Sequence, residues 1–172
     1  DIVEAPAWKN ATAEPENELL RLAASVEQVS EHPLGEAIAA EAGNRSLALS
    51  PADGFHAEAG HGVTAEVDDH KVSVGSLRMM REMGLEPANL ELDVERLQDE
   101  AKTAMLVAVD GQVQGIIAVA DTVKDGSIEA ITALHSLGLN VAMITGDNRK
   151  TAEAIGRQVG VDQILAEVLP DG

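Results

Sequence analysis

The amino-acid sequence predicts an α+β fold: an antiparallel sheet flanked by helices, followed by a partial α/β segment with parallel strands. Three observations carry this. Apolar residues recur at helical spacing on both sides of His32-Pro33, short alternating segments punctuated by Gly and Asp fill residues 46–119, and apolar strands alternate with helices beyond Asp121. These breaks divide the chain into 1–9, 10–119 and 120–172.

Asp1 to Val3 reads as a short β-like stub, and Pro6, Trp8 and the polar stretch to Pro15 read as a linker or hinge. From Glu16 to Val29, Leu19, Leu22, Ala23 and Val26 share one helical face, with Pro15 suited to the first turn. Pro33 lacks an N–H, fixes its own φ near the helical value and pushes His32 out of the helical region, so a second helix starts there with His32 at its cap. Leu34, Ala37, Ile38 and Ala42 form its apolar face, and Gly43-Asn44 ends it.

Four short segments follow: Leu47 to Leu49, Phe55 to Ala59, Val63 to Val67 and Lys71 to Val74. Val63, Ala65 and Val67 alternate with Thr64 and Glu66, and Asp68-Asp69-His70 turns the chain into the next strand, which is the pattern of an antiparallel hairpin. Helical patterns run from Leu77 to Met83 and from Leu90 to Glu100. Ala104 to Val109 and Val113 to Val119 then pair across Asp110-Gly111. Ile116 to Ala120 is also expected to open a parallel, Rossmann-like sheet. Helix Ser127 to Leu137, strand Val141 to Ile144, helix Thr151 to Val159 and strand Ile164 to Val168 continue it.

Composition narrows the function classes. With 12 basic and 30 acidic residues, a formal charge of −18 repels a phosphate backbone and argues against nucleic acid as a partner. There is no cysteine, so thiolate metal sites and thiol catalysis are excluded. One Trp, one Phe and no Tyr leave a core of Leu, Ile, Val, Ala and Met. The acidic excess suggests tolerance of high salt, which a melting temperature rising in molar potassium chloride would bear out. No apolar run approaches the roughly 18 residues needed to span a bilayer, so the chain as given is expected to be soluble.

Three constellations carry chemistry. The turn Glu27-Gln-Val-Ser-Glu-His-Pro-Leu-Gly35 gathers an imidazole (His32), two carboxylates (Glu27, Glu31) and the N–H groups of a helix start, a grip for a polar, planar ligand or simply a capped turn between helices. Gly60 and Gly62, with Gly75 closing the next strand, let backbone approach a ligand or merely serve turns. Thr145-Gly146-Asp147-Asn148 follows a strand and leads into a helix, the place where parallel sheets bind ligands; a phosphoryl group or a helix cap both suit it.

Taken in order, Ser30-Glu31-His32-Pro33-Leu34, Gly60-x-Gly62-Val63, Asp121-x-x-Lys124, Met143-Ile144-Thr145-Gly146-Asp147-Asn148, Thr151-Ala152-x-x-Ile155 and Ala166-Glu167-Val168-Leu169-Pro170 resemble a heavy-metal-transporting P-type ATPase, most of all its copper-exporting branch. The resemblance implies a nucleotide-binding domain over 10–119, a phosphorylation-domain stub and hinge over 1–9, and over 120–172 part of a phosphorylation domain with the haloacid dehalogenase-like fold. By the same resemblance Glu27 and His32 recognise adenine, and Gly60, Gly62 and Gly75 line the nucleotide. Thr145, Gly146 and Asp147 lie by the phosphoryl group, Asp121 and Lys124 form the hinge, and no residue here binds the transported metal. ATP, with Mg2+ in the complete enzyme, is the implied cofactor. The implied partners are the remaining phosphorylation, actuator and membrane domains of the same pump, placing the chain at the cytoplasmic face of a membrane.

Several family features depart or are missing. The phosphate-accepting aspartate of Asp-Lys-Thr-Gly-Thr, the lysine expected after Leu169-Pro170 and Gly-Asp-Gly-x-x-Asn-Asp do not occur in this chain, Ser76 stands where Asn is usual, and Thr122 replaces the hinge proline. The chain alone is thus expected to bind nucleotide without forming a phosphoenzyme. Two other readings are a haloacid dehalogenase-type phosphatase with a cap domain, opposed by the missing Asp-x-Asp, and a metal module built from His32, His56, His61 and His70.

Overall fold

A computed structural model describes residues 1–11, 13–30, 32–58, 61–87, 89–120, 123–124 and 126–168. The chain forms two compact units, Asp1–Val94 with Ala104–Val119, and Glu95–Thr103 with Ala120–Gly172.

The first unit is built on a six-stranded sheet of order β1-β6-β5-β4-β3-β2. Its strands are β1 (Ile2–Glu4), β2 (Asp53–Glu58), β3 (Gly62–Val67), β4 (His70–Gly75), β5 (Lys102–Val109) and β6 (Gln112–Ala120). Two tight hairpins set its register. Asp68 and Asp69 carry φ of 51° and 64°, and Asp110 and Gly111 carry 51° and 79°, the left-handed pair that a two-residue turn needs to follow the strand twist. Val67 therefore faces His70, and alternation places Val63, Ala65 and Val67 in the core.

Helices α1 (Pro6–Ala11), α2 (Pro15–Glu27), α3 (Pro33–Asn44) and α4 (Leu77–Glu82) accompany this sheet, with α5 (Glu91–Asp99) preceding β5. α2 buries Leu19, Leu22, Ala23 and Val26, and α3 adds Ile38 and Ala42. These side chains join Val63, Val72, Val74, Val107 and Ile117 in one core. α2 lies on β3 and β4. Arg21 fixes that placement from the rim, donating to Glu18, to Ser50 and, at 2.8 Å, to Asp68 in the β3–β4 turn. Since α2 ends at Glu27 and α3 begins at Pro33, core packing positions the connection between them.

The second unit carries α6 (Ser127–Ser136), β7 (Ala142–Ile144), α7 (Arg149–Val159) and β8 (Gln163–Leu165), with β7 and β8 paired in parallel. α7 is capped by Asn148, and Gly160 ends it with φ 84°. α6 buries no residue and leaves Ile128 and Leu134 exposed, with Leu137 exposed just past its end. Among the described residues no helix is long and apolar enough to cross a membrane.

The α+β class and both hairpins agree with the sequence reading, but three local expectations are corrected. Ile116 to Ala120 does not open the parallel sheet: it belongs to β6, where Ile116 faces Val3 and Ile117 faces Ile2. Its unbroken apolar run reflects a strand inside the antiparallel sheet, between β1 and β5, and such a run does not reveal strand direction. Residues 6–11 form a helix rather than a linker, with Pro6 in the first position where a missing N–H costs nothing. Leu47 to Leu49 is not a strand.

Candidate nucleotide and phosphoryl sites

His32 sits at the cap of α3 with an extended backbone (φ −82°, ψ 135°), and its Nδ1 accepts from the Leu34 N–H at 3.2 Å. Nδ1 accepting leaves the proton of the neutral ring on Nε2. The exposed edge is thus a hydrogen-bond donor. Ser30 links the turn: its Oγ accepts from the His32 N–H at 3.2 Å, and its own N–H donates to the Glu27 carbonyl at 2.8 Å.

Glu27 ends α2 and is only 5% exposed. Burial pushes its carboxyl above the usual range, while a hydrogen bond from Ser30 pulls the other way, as His32 would if its ring were protonated. Space for it comes from Gly35, where a Cβ would stand 2.5 Å from Glu27 Oε2. A buried acceptor and an imidazole donor are therefore held on one turn.

Gly62 and Gly75 face each other across β3 and β4. Gly62 has φ 150°, and a Cβ there would stand 2.5 Å from Gly75 Cα and 2.6 Å from Met79 Sδ. A Cβ on Gly75 would meet the same sulfur and, at 2.6 Å, the His61 carbonyl. Both positions require glycine on space, and Gly62 on conformation as well. The Ser76 N–H donates to the His61 carbonyl at 2.9 Å, and Ser76 Oγ accepts from the Met79 N–H at 3.2 Å, capping α4. Ser and Asn are both good caps, so Ser76 keeps the helix start that an asparagine would give. Gly60, Glu31 and Asp121 lie outside the described residues.

In the second unit Thr145, Gly146 and Asp147 follow the C-terminal end of β7. Thr145 Oγ1 donates to Asp147 Oδ2 at 2.7 Å and accepts from the Asp147 N–H at 3.1 Å. Asn148 is a cap: its Oδ1 accepts from the Thr151 N–H at 3.1 Å and its amide donates to Thr151 Oγ1 at 2.9 Å. Buried Thr151 passes this on to the Lys102 carbonyl at 3.1 Å. Lys124 is exposed, and its carbonyl accepts from the Ser127 N–H.

The histidines do not converge. His61 lies 3.4 Å from Glu82 and His70 lies 2.7 Å from Asp110, and among the described residues no group of three His, Asp or Glu is arranged for a metal. Two open grooves of about 490 and 530 Å3 occur on the first unit, one beside Trp8, His70 and Asp110, the other beside Pro6, Leu85 and Asn89. Neither is lined by Glu27, His32, Gly62 or Gly75. Three contributors to these sites went unread in the sequence: Gly35, Ser76 as a cap, and Met79. A Ser ahead of an amphipathic stretch signals a cap, and a Gly in a first helical turn signals a close neighbour. Met79 carries no such signal, because its contact is tertiary.

A family profile for haloacid dehalogenase-like hydrolases matches residues 4–172. Copper-transporting ATPase 1 of Rhizobium meliloti (strain 1021) is 48% identical over 156 residues, which is 91% of this chain and 19% of that protein. The chain thus spans about a fifth of the length of the curated relatives it matches. A zinc-transporting PIB-type ATPase in its E2.Pi state superposes with a TM-score of 0.66 at 33% identity, covering 98% of this chain and 26% of that one. The N-domain of HMA8, a copper-transporting P-type ATPase, gives a TM-score of 0.53 at 30% identity, covering 70% of this chain and 97% of that domain.

Proposed function

As this chain belongs to the heavy-metal-transporting P-type ATPases, within the haloacid dehalogenase-like hydrolases, we propose that it is the ATP-binding cytosolic portion of an ATP-driven ion pump whose cargo is copper. Residues 10–119 act as the nucleotide-binding domain and 120–172 as part of the phosphorylation domain, with Asp121 and Lys124 at the hinge. The observation that carries this reading is the turn between α2 and α3. There a buried acceptor, Glu27, and a donor, His32 Nε2–H, suit the exocyclic amino group and a ring nitrogen of adenine. Gly62 and Gly75 let ribose and phosphates lie on backbone, and Gly60 takes the same role on its sequence motif alone.

In the whole pump the bond between the γ-phosphorus and its bridging oxygen breaks, ADP leaves, and a new phosphorus–oxygen bond forms on an aspartate outside this chain. Thr145, Gly146 and Asp147 meet that phosphoryl group. Thr145 must then turn its hydroxyl from Asp147 to the phosphoryl oxygen. Magnesium takes several oxygen ligands. No three acidic groups converge among the described residues, and we assign the ion's ligands chiefly to the remaining phosphorylation domain. Incubation with γ-labelled ATP tests the division of labour: the chain alone stays unlabelled, whereas an acid-stable aspartyl label would refute it.

A further inference from the structure

One side chain, that of Met79, stands against both glycines of the Gly62–Gly75 pair. Met79 is 5% exposed, and its sulfur occupies the space that a Cβ on either glycine would enter. Its place is fixed twice, by its own N–H donating to Ser76 Oγ and by the Ser76 N–H donating to the His61 carbonyl, the residue beside Gly62. α4 is thus clamped to the glycine strands by backbone on one side and by sulfur on the other. Removing the thioether takes from both glycines, the least constrained residues of the ladder, the side chain that stands against them, and leaves backbone atoms alone at that position.

We propose that Met79 is a positioning residue for the nucleotide site: its thioether is the floor that holds the Gly62–Gly75 backbone in the shape ATP meets. This rests on the nucleotide reading above. Neighbouring Met80 supplies the control, being fully buried on the same helix and of the same volume, while the sulfur against both glycines is that of Met79. In Met79→Ala, ATP affinity measured by calorimetry falls about tenfold, a 1.4 kcal/mol change. In Met80→Ala it stays within about twofold even though the melting temperature drops at least as far. Met79→Leu, which keeps volume, binds like the wild type.

A second measurement needs no variant. With methionine methyls isotopically labelled, the Met79 signal shifts as ATP is titrated and the Met80 signal does not. Wild-type binding with normal affinity in Met79→Ala, equal losses in both alanine variants, or a Met79 methyl that ignores bound ATP would each overturn the proposal. A wild-type chain that does not bind ATP overturns the nucleotide reading and this proposal together, and the wild-type titration alone distinguishes that case.

Discussion

Replacing Gly62 by alanine tests whether the glycine pair is a geometric requirement. The new Cβ would stand 2.5 Å from Gly75 Cα and 2.6 Å from Met79 Sδ, in a residue whose φ is 150°. The unusual backbone costs about 1–3 kcal/mol for a residue with a side chain. Overpacking against backbone adds about 1–3 kcal/mol, because strands cannot step aside as a flexible side chain can. Together this is roughly 2–6 kcal/mol, and at about 4 °C per kcal/mol for a unit of this size the melting temperature falls by roughly 8–24 °C. Gly43→Ala is the internal comparison. It lies in α3, nothing stands within 4 Å of its Cβ position, and it should stabilise by about 0.5–1 kcal/mol. Thermal melts followed by circular dichroism measure both. A Gly62→Ala melt within about 2 °C of the wild type, equivalent to about half a kcal/mol, would refute the reasoning.

Two further predictions follow from charge. Because burial raises the Glu27 carboxyl, the stability linked to this group is fully present below its unfolded-state value and is lost as pH rises through the raised one. Glu27→Gln should therefore gain on the wild type as pH rises from 4 towards 7.5, seen as urea midpoints drawing together or crossing; a constant difference would contradict the burial argument. Asp110 runs the other way, held below the usual carboxylate range by His70 and by the Lys71 N–H. Its contribution is present above the unfolded-state value and lost as pH falls through the lowered one, so Asp110→Asn, which the turn accommodates, should be less stable than wild type near pH 6 and indistinguishable at strongly acidic pH.

Much of this architecture was legible because it is local. Pro33 dictates where α3 starts and what His32 does, and Asp68-Asp69 and Asp110-Gly111 dictate two hairpins, since few residue pairs accept their backbone. What failed was decided by partners. Ile116 to Ala120 could join either sheet on its own pattern, and pairing with β1 and β5 settled it. Pro6 reads equally as linker and as helix start. At the site, the motif residues could be named from their order, but the burial of Glu27, the space left by Gly35 and the floor provided by Met79 arise only when α2, α3 and α4 have packed.

The central claim is adenine recognition by the α2–α3 turn, and the most direct test separates it from His32's structural duty. His32→Asn retains a good N-cap while removing the imidazole; His32→Ala removes both, at a stability cost of about 1 kcal/mol. Calorimetric titration of ATP, ADP and GTP into the wild type and His32→Asn should show adenine-selective binding in the wild type and loss of that selectivity in an equally stable His32→Asn. Binding indifferent to the base, or selectivity that survives in His32→Asn, would contradict the account.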